Sequence, residues 1–215
     1  MNYDIELVNR IIGMLMDTER EAEIPFVLEN LPEPPAKLLD VSCCYSSFLL
    51  EMINLGFDCW GIDILDYGVP CDRFIKADAR NIPFDDKSFD VVTCISSLEH
   101  YGLVETPYHS DTEYDELAPF KAIKEMARVL KDDGIIILTL PFGSGDEELS
   151  KWIKFYNTKL ITELIHSANL KIVKKQIKSL IDNVWVDIDE KEAEKVFSIN
   201  MVCCNISLVL KKILF

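Results

Sequence analysis

Residues 37–64 read KLLDVSCCYSSFLLEMINLGFDCWGIDI. Lys37–Val41 is a short apolar strand. Ser47–Leu55 (SFLLEMINL) spaces its apolar residues as a helix does and stops at Gly56, a residue suited to a C-cap. Cys59–Ile64 (CWGIDI) is a second strand. Downstream the alternation continues. Arg73–Ala77 is a weaker third strand, and Asp90–Ser96 (DVVTCIS) is a fourth. Pro119–Leu130 is a helix, Asp132-Asp133-Gly134 a turn, and Ile135–Leu140 (IIILTL) a fifth strand closed by Pro141. Strands this uniformly apolar are covered on both faces, so a doubly wound α/β sheet is expected.

The flanks extend this frame. Thr158–Ala168 is helical. Leu170–Ser179 and Phe197–Lys211 are strands, expected as an antiparallel pair at the sheet edge, with polar Asp182–Glu194 between them. Upstream, Leu7/Val8, Ile11/Ile12 and Leu15/Met16 paint one stripe on a helix. A second helix is expected to begin at Pro25, and Pro32, Pro34 and Pro35 stop it. No repeat or low-complexity segment interrupts the chain. The expectation is a single domain over 1–215, with residues 1–35 as a helical cover and 36–215 as the α/β core.

Composition narrows the function. The chain has 215 residues, with 22 Lys plus Arg against 37 Asp plus Glu, a formal charge of −15. A nucleic-acid partner needs a positive field, so none is expected. No apolar run approaches the ~20 residues of a membrane helix. Met1–Glu6 carries two acids and no basic residue, unlike a secretory signal. The seven cysteines include no C-x-x-C and are expected as reduced thiols of a cytoplasmic protein. The vicinal pairs Cys43-Cys44 and Cys203-Cys204 point to opposite faces of extended chain, so buried small side chains are expected there rather than a metal.

In open α/β sheets, ligands bind beyond the carboxyl ends of the strands. The first strand ends in Asp40, followed by small residues through Ser46 and Ser47. These suit either close approach of an anion to the backbone or a plain helix cap. The second ends in Asp63, whose carboxylate suits the two hydroxyls of a ribose or a turn. Asp78-Ala79 follows the third strand and could take an adenine edge or cap a turn. The fourth runs into Ile95-Ser96-Ser97-Leu98-Glu99-His100-Tyr101-Gly102. There a carboxylate and an imidazole could move a proton near neutral pH or form a structural pair.

Taken in order, LLDV, CWGIDI, KADARNIPFDDKSFDVVTCISSLEHYG and EMARVLKDDGIIILTLPFG resemble class I S-adenosylmethionine-dependent methyltransferases over Lys37 to Gly143. The resemblance implies a Rossmann-like, mostly parallel seven-stranded sheet with an antiparallel edge strand. It implies S-adenosylmethionine as cofactor and methyl transfer to a small polar acceptor. By the resemblance, Asp40 would orient the first loop and the methionine amine. Ser42, Cys43, Cys44 and Ser46 would line the methionine portion. Asp63 would bind the ribose, with Ile64 against the adenine and Asp78 and Ala79 at its edge. Ile95 and Ser96 would lie under the methionine end, and Glu99 and His100 would face the substrate as catalytic residues, with His109 next in line as a base. The acidic segment Val104–Phe120, with Glu113 and Asp115, would border the acceptor pocket.

One departure stands out. The family's first loop is glycine-rich, but its three glycine positions here read Ser42, Cys44 and Ser46. Glycine serves there because it tolerates positive φ and close approach. Altered or weaker cofactor binding is therefore expected. The alternative is a methyltransferase-like nucleoside-binding or scaffold protein that transfers nothing. Other nucleotide and hydrolase classes lack their marks: G-x-G-x-x-G, G-x-x-x-x-G-K-[ST], H-E-x-x-H and G-x-S-x-G are all absent.

Overall fold

The computed structural model describes residues 5–12, 19–44, 46–66, 68, 71–104 and 113–214. Helices α1 (Ile5–Ile12) and α2 (Arg20–Asn30) precede β1 (Lys37–Val41), α3 (Phe48–Asn54), β2 (Asp58–Asp63), β3 (Phe74–Lys76) and β4 (Phe89–Cys94). A single 3-10 turn, Leu98–His100, leads to α4 (Ala118–Val129) and β5 (Leu130–Pro141). Then follow β6 (Ser144–Gly145), α5 (Glu147–Ser150), α6 (Thr158–Ser167), β7 (Leu170–Ile181), β8 (Val184–Asp187), α7 (Glu190–Ala193), β9 (Phe197–Ser198) and β10 (Cys204–Lys212).

The main sheet has eight strands in the order β3-β2-β1-β4-β5-β10-β7-β8. The first five are parallel. β10 is antiparallel to both β5 and β7, and β8 is antiparallel to β7. This is the doubly wound α/β fold expected, with one strand more than the seven expected. The extra strand is β8, inside the stretch read as a polar connection. Ile181 pairs with Val184 across Asp182-Asn183, which both take positive φ (50° and 61°). Two such residues make the tight turn whose twist matches a β-hairpin. The long late strand also starts at Cys204, not Phe197, and lies inside the sheet between β5 and β7 rather than at its edge.

Two local expectations change. Pro25 lies within α2 and does not start a helix. Ala22, Ile24, Phe26, Val27 and Leu28 are all buried, and their packing outweighs the hydrogen bond that proline cannot make. The Asp132-Asp133-Gly134 turn is an irregularity within β5. Leu130 still pairs with Phe89 before Ile135 pairs with Val91, so five steps on one strand oppose two on the other.

Alternate residues of the strands feed two cores, as a two-faced sheet requires. Leu39, Val92, Ile136 and Leu208 pack with Ile123, Met126, Ile161 and Leu164 of α4 and α6. Leu38, Val91, Ile137 and Val209 pack with Leu7, Val27, Leu28, Leu49 and Met52 of the N-terminal helices and α3. Arg128, at the end of α4, donates to Ile82 O and Phe84 O at 2.8 Å each and pairs with Glu125 and Asp86. These partners raise its pKa and pin the segment after β3 beside the strand ends. Among the described residues, no helix is long and apolar enough to cross a membrane.

Candidate functional site

The strand ends of β1–β4 enclose a cleft of about 260 Å³. Its floor begins with the β1–α3 loop. Ser42 N–H donates to Ile62 O at 2.8 Å, Cys43 N–H to the same oxygen at 3.2 Å, and Cys44 N–H to Asp63 Oδ2 at 2.9 Å. The loop is thus bound to the end of β2 by three successive amides. Ser42 takes φ +62°, the left-handed geometry in which glycine is at ease. Its hydroxyl is hydrogen-bonded to the Tyr101 hydroxyl across the cleft.

A glycine of the neighbouring strand makes room for this loop. Cys43 is buried over Gly61 of β2, and a Cβ at Gly61 would stand 2.7 Å from Cys43 Sγ and 2.7 Å from Leu49 Cδ2. Burial raises the Cys43 thiol, and the buried Asp40 carboxylate adds to the shift. The Cys44 thiol faces the cleft and is pushed up to about 12, first by burial and then by Asp63. Neither is a thiolate at neutral pH.

Asp63 lies on the cleft wall at 7% exposure, with Oδ1 accepting from Leu65 N–H and Oδ2 from Cys44 N–H. A carboxylate has about four lone-pair sites, so two remain for a vicinal diol. Ile64 lies beside it, 38% exposed and apolar, a surface suited to the face of a base. Ala79 and Asp78 line the next wall, but Asp78 is gripped by Arg80, whose Nε and Nη2 donate to Oδ2 at 2.8 and 2.6 Å.

Past β4, Ser96 lines the cleft at φ +42°; its amide donates to Thr139 Oγ1 at 3.0 Å. Its hydroxyl donates at 2.6 Å to Glu23 Oε1 of α2, which also accepts from Asn205 Nδ2 at 2.6 Å. Glu23 is fully buried, and desolvation raises its pKa against the nearby Arg20. Arg20 lines the cleft, and its Nη1 donates to Ile95 O at 3.0 Å.

His100 is on the wall, its Nδ1 2.6 Å from Trp152 O and its ring stacked parallel to that of Trp152. A carbonyl oxygen only accepts, so Nδ1 carries the proton and Nε2 is the basic nitrogen of the neutral ring. Glu99 Oε1 is 3.9 Å from Nε2, but Glu99 is buried behind the wall at 3% exposure. Burial holds its carboxyl well above the usual range, and Glu23 adds to the shift.

The cleft therefore gathers Ser42, Cys44, Asp63, Ile64, Asp78, Ala79, Ser96 and His100. Five others stand off its lining. Asp40 is buried and accepts from Thr93 Oγ1 at 2.9 Å, its pKa raised to about 7 chiefly by burial. Cys43 and Ile95 belong to the apolar core on the α2 side. Ser46 accepts from Phe48 N–H at 3.1 Å in a local turn just before α3, whose N-cap position is Ser47. Glu99 is the fifth residue off the lining. His109 lies outside the described residues. Asp115 binds Lys121 at 2.7 Å and Leu117 N–H, while Glu113 is exposed.

Sequence reasoning missed Arg20, Glu23 and Tyr101. One signal was present: Ala22, Glu23, Phe26 and Val27 share a helical face, which puts a carboxylate on an apolar stripe.

Comparison with known proteins adds to this geometry. The family described as a methyltransferase domain matches residues 39–138. A demethylmenaquinone methyltransferase of Thermotoga maritima is 28% identical over 178 residues, covering 77% of this chain and 64% of that protein. A tRNA U34 carboxymethyltransferase of Nautilia profundicola is 26% identical over 210 residues, covering 85% and 62%. The chain thus spans less than two thirds of the length of these curated relatives. Among solved structures, a SAM-dependent methyltransferase of Methanosarcina mazei superposes with a TM-score of 0.62 at 17% identity, covering 89% of this chain and 98% of that one.

Proposed function

We propose that the chain, whose residues 39–138 match a methyltransferase domain, is a class I S-adenosylmethionine-dependent methyltransferase that transfers a methyl group from that cofactor to a small polar acceptor. The observation that carries this reading is Asp63. Its carboxylate ties down the first loop and still faces the cleft beside apolar Ile64, as an adenosine seat requires. The sulfonium of the cofactor supplies an activated methyl group, so the protein's work is mostly positioning.

Asp63 holds a ribose diol, Ile64 lies against the base, and Ala79 flanks its edge. Asp78 takes part only if Arg80 gives up one of its bonds. Ser42, Cys44 and Ser96 line the path toward β4. There Nε2 of His100 accepts the proton of a hydroxyl or amine acceptor as that group is methylated. Glu99, buried and with its carboxyl held well above the usual range, sits behind His100 and off the cleft lining.

The acceptor is assigned as small because the chain is strongly acidic, at −15, which disfavours a polyanion. The tRNA-modifying relative keeps an RNA acceptor as the second reading. The test is a calorimetric and thermal-unfolding titration with S-adenosylmethionine and S-adenosylhomocysteine, alongside Asp63→Ala. Ligand at 100 times Kd adds about 2.7 kcal/mol, or about 5–10 °C for a chain of this size. Asp63→Ala should remove most of that shift. No heat and no shift with millimolar ligand would leave only the fold standing.

A further inference from the structure

The loop that would meet the amino-acid tail of the cofactor has its first three amides committed elsewhere. Ser42 and Cys43 N–H groups both go to Ile62 O, and Cys44 N–H goes to Asp63 Oδ2. In a glycine-rich loop such amides would be candidates for an anion. With those three committed, a cationic side chain on the cleft is the stronger partner for a carboxylate. Two arginines line the cleft among the described residues, Arg20 and Arg80. Arg80 stands on the β3 side and is bound to Asp78 through Nε and Nη2. Arg20 stands at the other end, anchored to the backbone oxygen of Ile95 just after β4.

We infer that Arg20 is the seat of the cofactor's α-carboxylate, and that α2 supplies the grip the first loop has lost. The inference rests on the reading of the cleft as an S-adenosylmethionine site. Arg20 lies outside the matched residues 39–138, so the family pattern does not assign it. A guanidinium presents a planar fork of donors that fits a carboxylate bidentately. Glu23 holds this end of α2 in register. Its Oε1 accepts from Ser96 and Asn205, on two separate segments of the sheet, and its Oε2 is 3.8 Å from Arg20 Nη1. Burial raises the pKa of Glu23 while Arg20 beside it pulls the other way.

The experiment compares two probes that differ in the tail. S-adenosylhomocysteine carries the amino-acid end; 5′-methylthioadenosine does not. Both are titrated calorimetrically into wild type, Arg20→Gln and Arg20→Lys, with thermal unfolding of each ligand-free protein as a check on folding. Arg20→Gln should weaken S-adenosylhomocysteine about 10- to 100-fold, the range of charged hydrogen bonds. Binding of 5′-methylthioadenosine should stay within about twofold, and Arg20→Lys, which keeps charge but not the fork, should fall between. If Arg20→Gln does not fold, Arg20→Lys decides by the same difference between probes. Equal weakening of both probes, or of neither, overturns the role of Arg20 while leaving the cleft reading intact. Wild type that binds neither probe overturns both.

Discussion

Replacing Gly61 with alanine puts a methyl group where two side chains already stand. The new carbon would lie 2.7 Å from Cys43 Sγ and 2.7 Å from Leu49 Cδ2, against contact distances of about 3.5–4.0 Å for such atoms. One neighbour belongs to the β1–α3 loop and the other to α3, so a single shift does not relieve both. Overpacking of this kind costs about 1–3 kcal/mol, and two opposed contacts place the change in the upper half, about 2–3 kcal/mol. At about 2–4 °C per kcal/mol, the unfolding midpoint should fall by about 4–12 °C. Cys43→Ala removes one of the clashing atoms and alone should cost about 1 kcal/mol through the space it leaves. In the double variant the alanine methyl occupies part of that space. The two substitutions should therefore couple favourably by about 1–2 kcal/mol. Urea unfolding in reducing buffer, followed by tryptophan fluorescence, measures all four corners of the cycle. The loop should also carry the effect to the site: Gly61→Ala should weaken S-adenosylhomocysteine, and the double variant should recover part of the loss. Additivity within about 0.5 kcal/mol would refute the idea that Gly61 makes room for Cys43.

Two further outcomes follow from buried polar groups near the cleft. The folded pKa of Asp40, about 7, lies above its ordinary 3.8, so the folded state binds the proton more tightly. The stability this gives is fully present below about pH 4 and is lost as pH rises through about 7. Asp40→Asn should flatten that decline when urea unfolding is compared at pH 4 and pH 8, and an unchanged slope would show that Asp40 is not its source. At Ser42, glycine would relieve about 1–2 kcal/mol of left-handed strain but lose the bond to Tyr101, worth about 0.5–1.5 kcal/mol, and add about 0.5–1 kcal/mol of unfolded-chain entropy. Ser42→Gly should thus be close to neutral in wild type and more favourable in a Tyr101→Phe background, by about 1 kcal/mol, and equal effects in both would count against the bond.

The frame of the fold was written in local patterns. Lys37–Val41 is a strand because a short run centred on apolar Leu38, Leu39 and Val41 follows a proline block, and that signal needs no distant partner. Gly56 marks the end of α3 for an equally local reason, taking φ +92° just past the helix. What escaped was decided at long range. Pro25 stays helical because its neighbours are buried on the sheet. β8 forms because Asp182 and Asn183 can both turn with positive φ, a signal present in the sequence but hidden by its polar surroundings. The site divides in the same way. Asp63, Ile64 and Ser96 stand at strand ends, so locating the strands located them. Asp40 and Glu99 were equally visible as titratable residues at such ends, yet nothing in the sequence says that they face inward. Arg20 reaches Ile95 across 75 positions, a distance over which no spacing rule speaks.

The hydrogen bond from Asn205 to Glu23 joins residues 182 positions apart. The strands that carry Asp63 and Ser96 are all made before the last strand, on which the helix bearing Arg20 docks. The mouth is therefore finished late, and pairings so remote are slow to form. Trimming that strand would open both cores and strip the helix bearing Arg20 of its partner, so the integrity of the chemistry depends on residues far from any that perform it.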